Sequence, residues 1–277
     1  MNNACLTLLI DAGNTRIKFG WLEHGSMRRE PVALALAHAQ LGELAAWLAA
    51  LPVRPSAALG ASVVSPGMRG MLDSLIESQC GVTVQWQHSS ACAGGVLNLY
   101  DDPGKLGTDR WISLIGLAAR TSAPAVLASF GTATTVDTLG PADTREKSGP
   151  VGRRFEGGLI LPGPELMRHA LANGTAGLPY AEGASTDFPR NTHSAISSGI
   201  AAAQAGAVLR QWRSARDALG QVPELYCAGG GWPLVAAEVT AMLARQQADL
   251  GLPVSPPHRL VAPVLDGLAS LAATSST

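Results

Sequence analysis

Leu8-Leu9-Ile10-Asp11-Ala12-Gly13-Asn14-Thr15-Arg16-Ile17-Lys18 is an apolar run that delivers a carboxylate, a small-residue turn, and the start of a second apolar segment continued by Phe19, Trp21 and Leu22. Gly13 and Asn14 are residue types that accept turn geometry, so the stretch predicts a strand, a tight turn and a strand. Asp11 then stands at the end of a buried strand and Lys18 on the outgoing one. Oriented turn amides, the Thr15 hydroxyl and a Lys suit a phosphate, and the Asp suits Mg²⁺ held directly or through water. The same residues also suit an ordinary hairpin with a solvated Lys and a turn-capping Asp. Taken locally, both readings stand.

A second copy of the pattern follows half a chain later. Ala125-Val126-Leu127-Ala128-Ser129-Phe130-Gly131-Thr132-Ala133-Thr134-Thr135-Val136-Asp137 is again an apolar strand, a Gly-Thr turn and a β-branched strand. Setting Gly13 on Gly131 lays Asp11 on Ser129. Two such hairpins predict a duplicated α/β domain whose two turns face one cleft. This layout resembles the acetate and sugar kinase/actin superfamily, in which nucleotide phosphates lie between two hairpins.

Composition agrees with a folded chain and narrows the partners. Of 277 residues, 47% are hydrophobic and only 15% charged, which excludes a disordered polyelectrolyte. The formal net charge is −1 and no Lys/Arg-rich block exists, so a nucleic-acid partner is not expected. The cysteines (Cys5, Cys80, Cys92, Cys227) are far apart and form no C-x-x-C pair, and the histidines show no metal-ligand spacing. A reduced, cytoplasmic setting is expected. Leu6–Ile10 is too short for a signal-peptide core and runs straight into Asp11. The uncharged stretches Ser78–Tyr100 and Asn191–Leu209 are too polar to span a bilayer.

Between the hairpins, strand and helix patterns alternate. Met27–Leu36 reads as a third strand and His38–Leu51 as a helix stopped by Pro52. Ala57–Val64 reads as a buried strand. Pro66–Cys80 reads as a helix with Met68, Met71, Leu72, Leu75 and Ile76 inward and Gly81 past its end. Val82–Trp86 is a further strand. A domain boundary is expected near Pro103, giving 1–103 and 104–277. Beyond the second hairpin, 141–154 reads as a polar surface excursion and Phe155–Gly163 as a short strand and turn. A brief helix is expected over Glu165–Ala172 and a loop over Gly174–Pro189. A long helix then runs to about Leu219, with a Gly199, Ala202, Ala203, Gly206 face suited to close packing. Glu224–Ala228 is a strand, Gly229-Gly230-Gly231 opens a helix at Trp232-Pro233, and Val264–Ala273 is the last helix.

Tyr100-Asp101-Asp102-Pro103-Gly104 is a turn, after which Lys105-Leu106-Gly107-Thr108-Asp109-Arg110 opens a helix carrying Trp111, Ile112, Leu114 and Ile115. Thr108 or Asp109 suits a helix N-cap, a role that stabilises by about 1 kcal/mol. The position just upstream of the second hairpin also suits a substrate and a general base. Thr192 invites the same N-cap reading.

Together these pieces resemble the type III pantothenate kinases, which catalyse the first step of coenzyme A synthesis. The motifs are Asp11 through Lys18, Gly107-Thr108-Asp109-Arg110, Gly131-Thr132-Ala133-Thr134-Thr135, Glu156-Gly157-Gly158 with Pro162-Gly163, and Asn191-Thr192 before Ala195-Ile196. Each is modest alone, and five in order across most of the chain are specific. The resemblance implies duplicated actin-like (ribonuclease H-like) domains with a nucleotide cleft between them. It implies that Asp11, Ala12, Gly13, Asn14, Thr15, Arg16, Ile17 and Lys18 form the ATP phosphate loop, with Asp11 near Mg²⁺ and Thr132 also touching ATP. Asp109 looks like the general base for the primary hydroxyl of pantothenate. Tyr100, Gly107, Thr108, Asp109, Arg110 and Thr192 look like pantothenate-binding residues, with the planar fork of Arg110 suited to the substrate carboxylate. Family members are homodimers in which both subunits form the pantothenate pocket, so a homodimer is expected. Some were first named Bvg accessory factors.

One position departs from the family pattern. Ser129 stands where the family has an Asp that binds a monovalent cation, so a potassium or ammonium site is expected to be weakened or lost. Two other readings compete with an ATP-dependent kinase of pantothenate. A non-catalytic regulator that keeps the kinase fold is opposed by the set Asp109, Arg110 and Lys18. A phosphotransferase acting on a sugar or acetate is opposed by the Gly-Thr-Asp-Arg segment.

Overall fold

The computed structural model describes residues 5–142 and 152–275. The chain forms two compact units, Met1–Ser122 with Asp143–Phe155 and Ala262–Thr277, and Ala123–Ala142 with Glu156–Val261. The sequence reading put the Thr108 helix and the last helix in the second domain; both count with the first unit here.

In the first unit, β1 (Leu6–Ala12) and β2 (Arg16–Glu23) form the opening hairpin. With β3 (Leu34–Ala37), β4 (Ala57–Ser62) and β5 (Val84–Trp86) they make a sheet of order β3-β2-β1-β4-β5. It is antiparallel from β3 to β1 and parallel from β1 to β5. The helices α1 (Leu44–Ala49), α2 (Pro66–Cys80) and α3 (Thr108–Ala118) and the short strands β6 (Cys92–Ala93) and β7 (Val96–Asn98) follow.

The second unit repeats the plan. β8 (Ala125–Phe130) and β9 (Ala133–Leu139) are its hairpin, and β10 (Arg153–Pro162) lies beside β9. The first residues of β10, Arg153–Phe155, pair with β7 and count with the first unit. α4 (Pro164–Gly174), α5 (Thr192–Leu219), β11 (Glu224–Ala228), α6 (Trp232–Asp249) and β12 (His258–Arg259) follow. The order β10-β9-β8-β11-β12 mirrors β3-β2-β1-β4-β5. In both, an antiparallel hairpin leads into two parallel strands. This is the duplicated α/β fold the two hairpins predicted. A final helix, α7 (Pro263–Ser275), returns to the first unit.

Strand alternation decides which residues each layer receives. Leu8 and Ile10 of β1, with Ile17 and Phe19 of β2, pack against Leu44 and Leu48 of α1 and Leu72 and Ile76 of α2. The opposite face carries Leu9, Asp11, Lys18 and Gly20, in the register Leu9↔Gly20 and Asp11↔Lys18. A methyl group on Gly20 would lie 3.2 Å from Leu265 of α7, so α7 covers this second face. In the second unit, Val126, Ala128 and Phe130 pack under Ala205, Val208 and Trp212 of α5 and Val235, Val239 and Leu243 of α6.

Several local expectations need correction. The third strand covers only Leu34–Ala37, because the preceding segment carries Pro31 and two exposed apolar residues, Met27 and Val32. The helix expected from His38 begins as a 3-10 segment, His38–Glu43, and is α-helical only from Leu44. Met71 is exposed rather than inward. The Gly199, Ala202, Ala203 stripe is exposed, and α5 packs through Ala201, Ala205, Val208 and Trp212 instead. β10 is longer than expected, since its first residues pair with β7. The polar excursion expected over 141–154 lies mostly outside the described residues.

α3 and α7 meet backbone to backbone. A methyl group on Gly116 would lie 2.7 Å from the Gly267 nitrogen, and one on Gly267 would run into the Ile112 carbonyl. Asp266 beside this contact accepts from Arg29 Nε at 2.8 Å and faces Arg120 at 3.6 Å. Gly267→Ala is therefore expected to cost about 3 kcal/mol, the upper end for overpacking a well-filled interior. Gly199→Ala, on the open face of α5, is expected to gain up to about 1 kcal/mol from helix propensity. Denaturant unfolding of both variants checks this, and a Gly267→Ala protein as stable as the parent would refute the close-contact account.

Candidate active site

Gly13 makes the first turn tight. Its N–H donates to the carbonyls of Asp11 and Arg16, both at 3.2 Å. A side chain at this position would meet the Arg16 carbonyl at 2.9 Å. The turn sets the β1/β2 register, and that register sets Asp11 opposite Lys18. Lys18 Nζ donates to Asp11 Oδ2 at 2.8 Å. Asp11 is buried, 6% exposed, whereas Asn14, Thr15 and Arg16 at the turn are exposed.

Asp11 and Lys18 point to the face of the sheet on which α3 and α7 pack. α3 begins there with an N-cap that is neither Thr108 nor Asp109. Gly107 takes that position with no side-chain bond, and Thr108 is the first helical residue. The Asp109 carboxylate accepts the Arg110 N–H at 2.9 Å, inside the first turn. Burial pushes the Asp109 carboxyl above its ordinary value. The Arg110 N–H pulls it back, and the Asp11 carboxylate pushes it further up. A side chain at Gly107 would meet Asp109 Oδ1 at 2.8 Å, so only glycine leaves this carboxylate room.

Arg110 is itself buried, at 6% exposure. Its guanidinium lies 5.7 Å from the Tyr100 ring centroid and 5.8 Å from that of Phe155. These rings stack on each other at 5.8 Å, and Arg110 Nη1 donates to the Tyr100 hydroxyl at 3.1 Å. Phe155 was not singled out from the sequence. Its role depends on β10 pairing with β7, a long-range contact with no local signal. The first unit thus brings together Asp11, Lys18, Tyr100, Gly107, Asp109 and Arg110.

The second unit holds Thr132 and Thr192. Thr132 is exposed at the β8/β9 turn, and its carbonyl accepts the Gly163 N–H at 2.9 Å. A methyl group on Gly163 would strike the Gly131 and Thr132 carbonyls, so the Pro162-Gly163 motif braces this turn. Gln204, fully buried on α5, donates to the Pro162 carbonyl at 2.8 Å and supports the brace. Thr192 does not cap α5. Asn191 does, its side chain accepting the Ser194 N–H at 2.9 Å. Thr192 instead lines a pocket of about 880 Å³ with Pro162, Leu171, Ile196 and Ile200, a volume suited to a small organic ligand. Ser129 lies opposite Thr135 and shares its face with the buried carboxylate of Asp137. Among the described residues, no three or more His, Cys, Asp and Glu side chains cluster as a metal site. No helix among them is long and apolar enough to cross a membrane.

The raised Asp109 carboxyl has a consequence for stability. The folded state holds this proton more tightly than the unfolded chain. Stability therefore falls as pH rises through the Asp109 titration and stays lower above it. Asp109→Asn keeps the oxygen that accepts the Arg110 N–H and removes the charge. It is expected to melt at or above the parent at neutral pH, with the difference shrinking as pH falls below the carboxylate range. Melting temperatures measured against pH test this, and a variant that melts lower at neutral pH would contradict it.

Residues 7–214 match the sequence model of a family described as type III pantothenate kinase. A Bordetella bronchiseptica protein named type III pantothenate kinase is 46% identical over 273 residues, 97% of this chain and 98% of that protein. Another so named, from Bordetella petrii, is 48% identical over 275 residues and 97% of each chain. A Campylobacter jejuni crystal structure described as a Baf family transcriptional activator shares the fold, with a TM-score of 0.51 at 16% identity over 97% of this chain and 98% of that one. With the family model covering most of its length and close relatives matching it almost end to end, this chain belongs to the type III pantothenate kinase family.

Proposed function

We propose that this chain transfers the γ-phosphoryl group of ATP to the primary hydroxyl of pantothenate, giving 4'-phosphopantothenate and ADP, the first step of coenzyme A synthesis. The observation that carries the reading is the convergence, within one unit, of Asp109 with a raised proton affinity, the Asp11–Lys18 pair and the buried Arg110. Phosphoryl transfer asks a protein mainly to position its reactants and offset charge.

Each residue then has a role its surroundings support. The 11–18 turn, with its exposed residues Asn14, Thr15 and Arg16 and with Lys18, takes the ATP phosphates, and Thr132 on the second turn adds a contact. Asp11 offers the oxygen donor that Mg²⁺ prefers, and its repulsion of Asp109 is the kind a cation relieves, so these residues fit the ion. Bound there, Mg²⁺ offsets phosphate charge. Asp109 accepts the hydroxyl proton as that oxygen attacks the γ-phosphorus and ADP leaves. Arg110, held beside the stacked Tyr100 and Phe155 rings, pairs with the pantothenate carboxylate. Thr192 is the further pantothenate contact that the family resemblance implies. The enzyme acts in the cytoplasm, in keeping with four free cysteines, and as a homodimer, as the family resemblance implies.

A coupled assay of ADP release, run with pantothenate and with a panel of sugars, tests the reading. Pantothenate alone should support turnover, and Asp109→Asn should lower kcat about 10²–10⁴-fold, the usual worth of a general base. Sugar-dependent turnover without pantothenate-dependent turnover would defeat it.

Ser129 sets the cation response. A unit-charge contact at about 4 Å is worth roughly 4 kcal/mol at an effective dielectric of about 20, before desolvation is subtracted, and a neutral hydroxyl does not supply it. Activation by potassium or ammonium is expected to be absent or to require high salt, and Ser129→Asp should create saturable activation at lower concentration. Initial rates against KCl, with ionic strength held by a bulky organic cation, decide the matter. Tight potassium dependence in the parent would show that other oxygens make the site.

A further inference from the structure

The turn after β1 is held by a residue from outside it. β3 ends with Ala37 opposite Arg16, so the next residue, His38, emerges level with the turn. Its Nε2 lies 3.0 Å from the carbonyl oxygen of Gly13. A carbonyl oxygen only accepts, so this nitrogen is the one that carries a proton.

The geometry of the peptide bond extends the effect of that contact. In a planar trans peptide, the C=O and the following N–H point in opposite directions. Fixing the Gly13 carbonyl on the imidazole therefore fixes the Asn14 N–H away from His38, at the exposed tip of the turn. Glycine permits many backbone conformations, so the peptide after Gly13 has little intrinsic reason to keep this orientation. A reversed peptide would present an oxygen where a phosphate needs a donor.

We propose that His38 is a positioning residue for nucleotide binding: its Nε2–H holds the Gly13–Asn14 peptide so that the Asn14 amide is presented to a phosphate oxygen of ATP. The proposal rests on residues 11–18 being the ATP phosphate turn. It predicts an effect on ATP rather than on pantothenate, because His38 acts through a peptide of that turn.

The test compares His38→Phe, which keeps a ring and loses the donor, with His38→Gln, which keeps an N–H donor. Lys18→Ala is the control, and KM for ATP, KM for pantothenate and kcat are measured for each. His38→Phe should raise KM for ATP about threefold to tenfold, the worth of one hydrogen bond, with KM for pantothenate unchanged. His38→Gln should recover most of the loss. If His38→Phe folds poorly, His38→Ala read by the same split replaces it. An unchanged KM for ATP in the His38 variants, with a raised one in Lys18→Ala, overturns the role of His38 alone. Unchanged values in both overturn the phosphate-turn reading as well. Equal losses in His38→Phe and His38→Gln, or equal rises in both KM values, show that the hydrogen bond is not the cause and overturn the proposal.

Discussion

The first unit depends on how closely α3 and α7 approach. Side chains normally keep packed helices 8–10 Å apart, but Gly116 and Gly267 bring backbone against backbone. α7 packs on β1, β2 and β4 as well as on α3, so the contact fixes α3 against the sheet. The start of α3 is where Asp109 and Arg110 project. A contact made by two residues without side chains thus determines where two charged groups of the site stand.

Those charges are arranged so that each has a partner and one has a conflict. Asp11 faces Lys18 across the hairpin, and Arg110 lies within cation–π reach of two stacked aromatic rings. Asp109 is partly buried near a second carboxylate and accepts the Arg110 N–H. Structural ion pairs lower a carboxyl's proton affinity, whereas here burial raises it. A group placed this way is suited to accepting a proton, which a group serving only to hold a helix end would not need.

The elements legible in the sequence were those with a complete local code. The helix Pro66–Cys80 has a proline at its start and Gly81 in the left-handed conformation past its end, and its bounds matched expectation. Both hairpins were visible because a strand-turn-strand pattern is short-range. The caps were misread because Gly107 and Asn191, each one residue upstream, took the positions assigned to Thr108 or Asp109 and to Thr192. Met71 and the α5 glycine stripe were misassigned because helical spacing identifies a face and not what covers it. Phe155, Gln204 and His38 went unnoticed as site residues, since each acts through a neighbour far away in sequence. The motifs of the candidate site were legible as sequence, and the residues that brace them were not.

The path of the chain through the first unit bears on how the protein comes into being. Its sheet is laid down by the first third of the sequence, yet the helix that covers the Asp11 face is the last element of the described chain. On a ribosome, that face of β1 and β2 waits with Gly20 uncovered by Leu265 until the Pro263–Ser275 segment has been made. The second unit, whose segments all lie before Ala262, has every residue it needs earlier. Synthesis from the N-terminus therefore favours completing the later-encoded unit first, and leaves the first-encoded sheet dependent on whatever shields apolar surface during that delay.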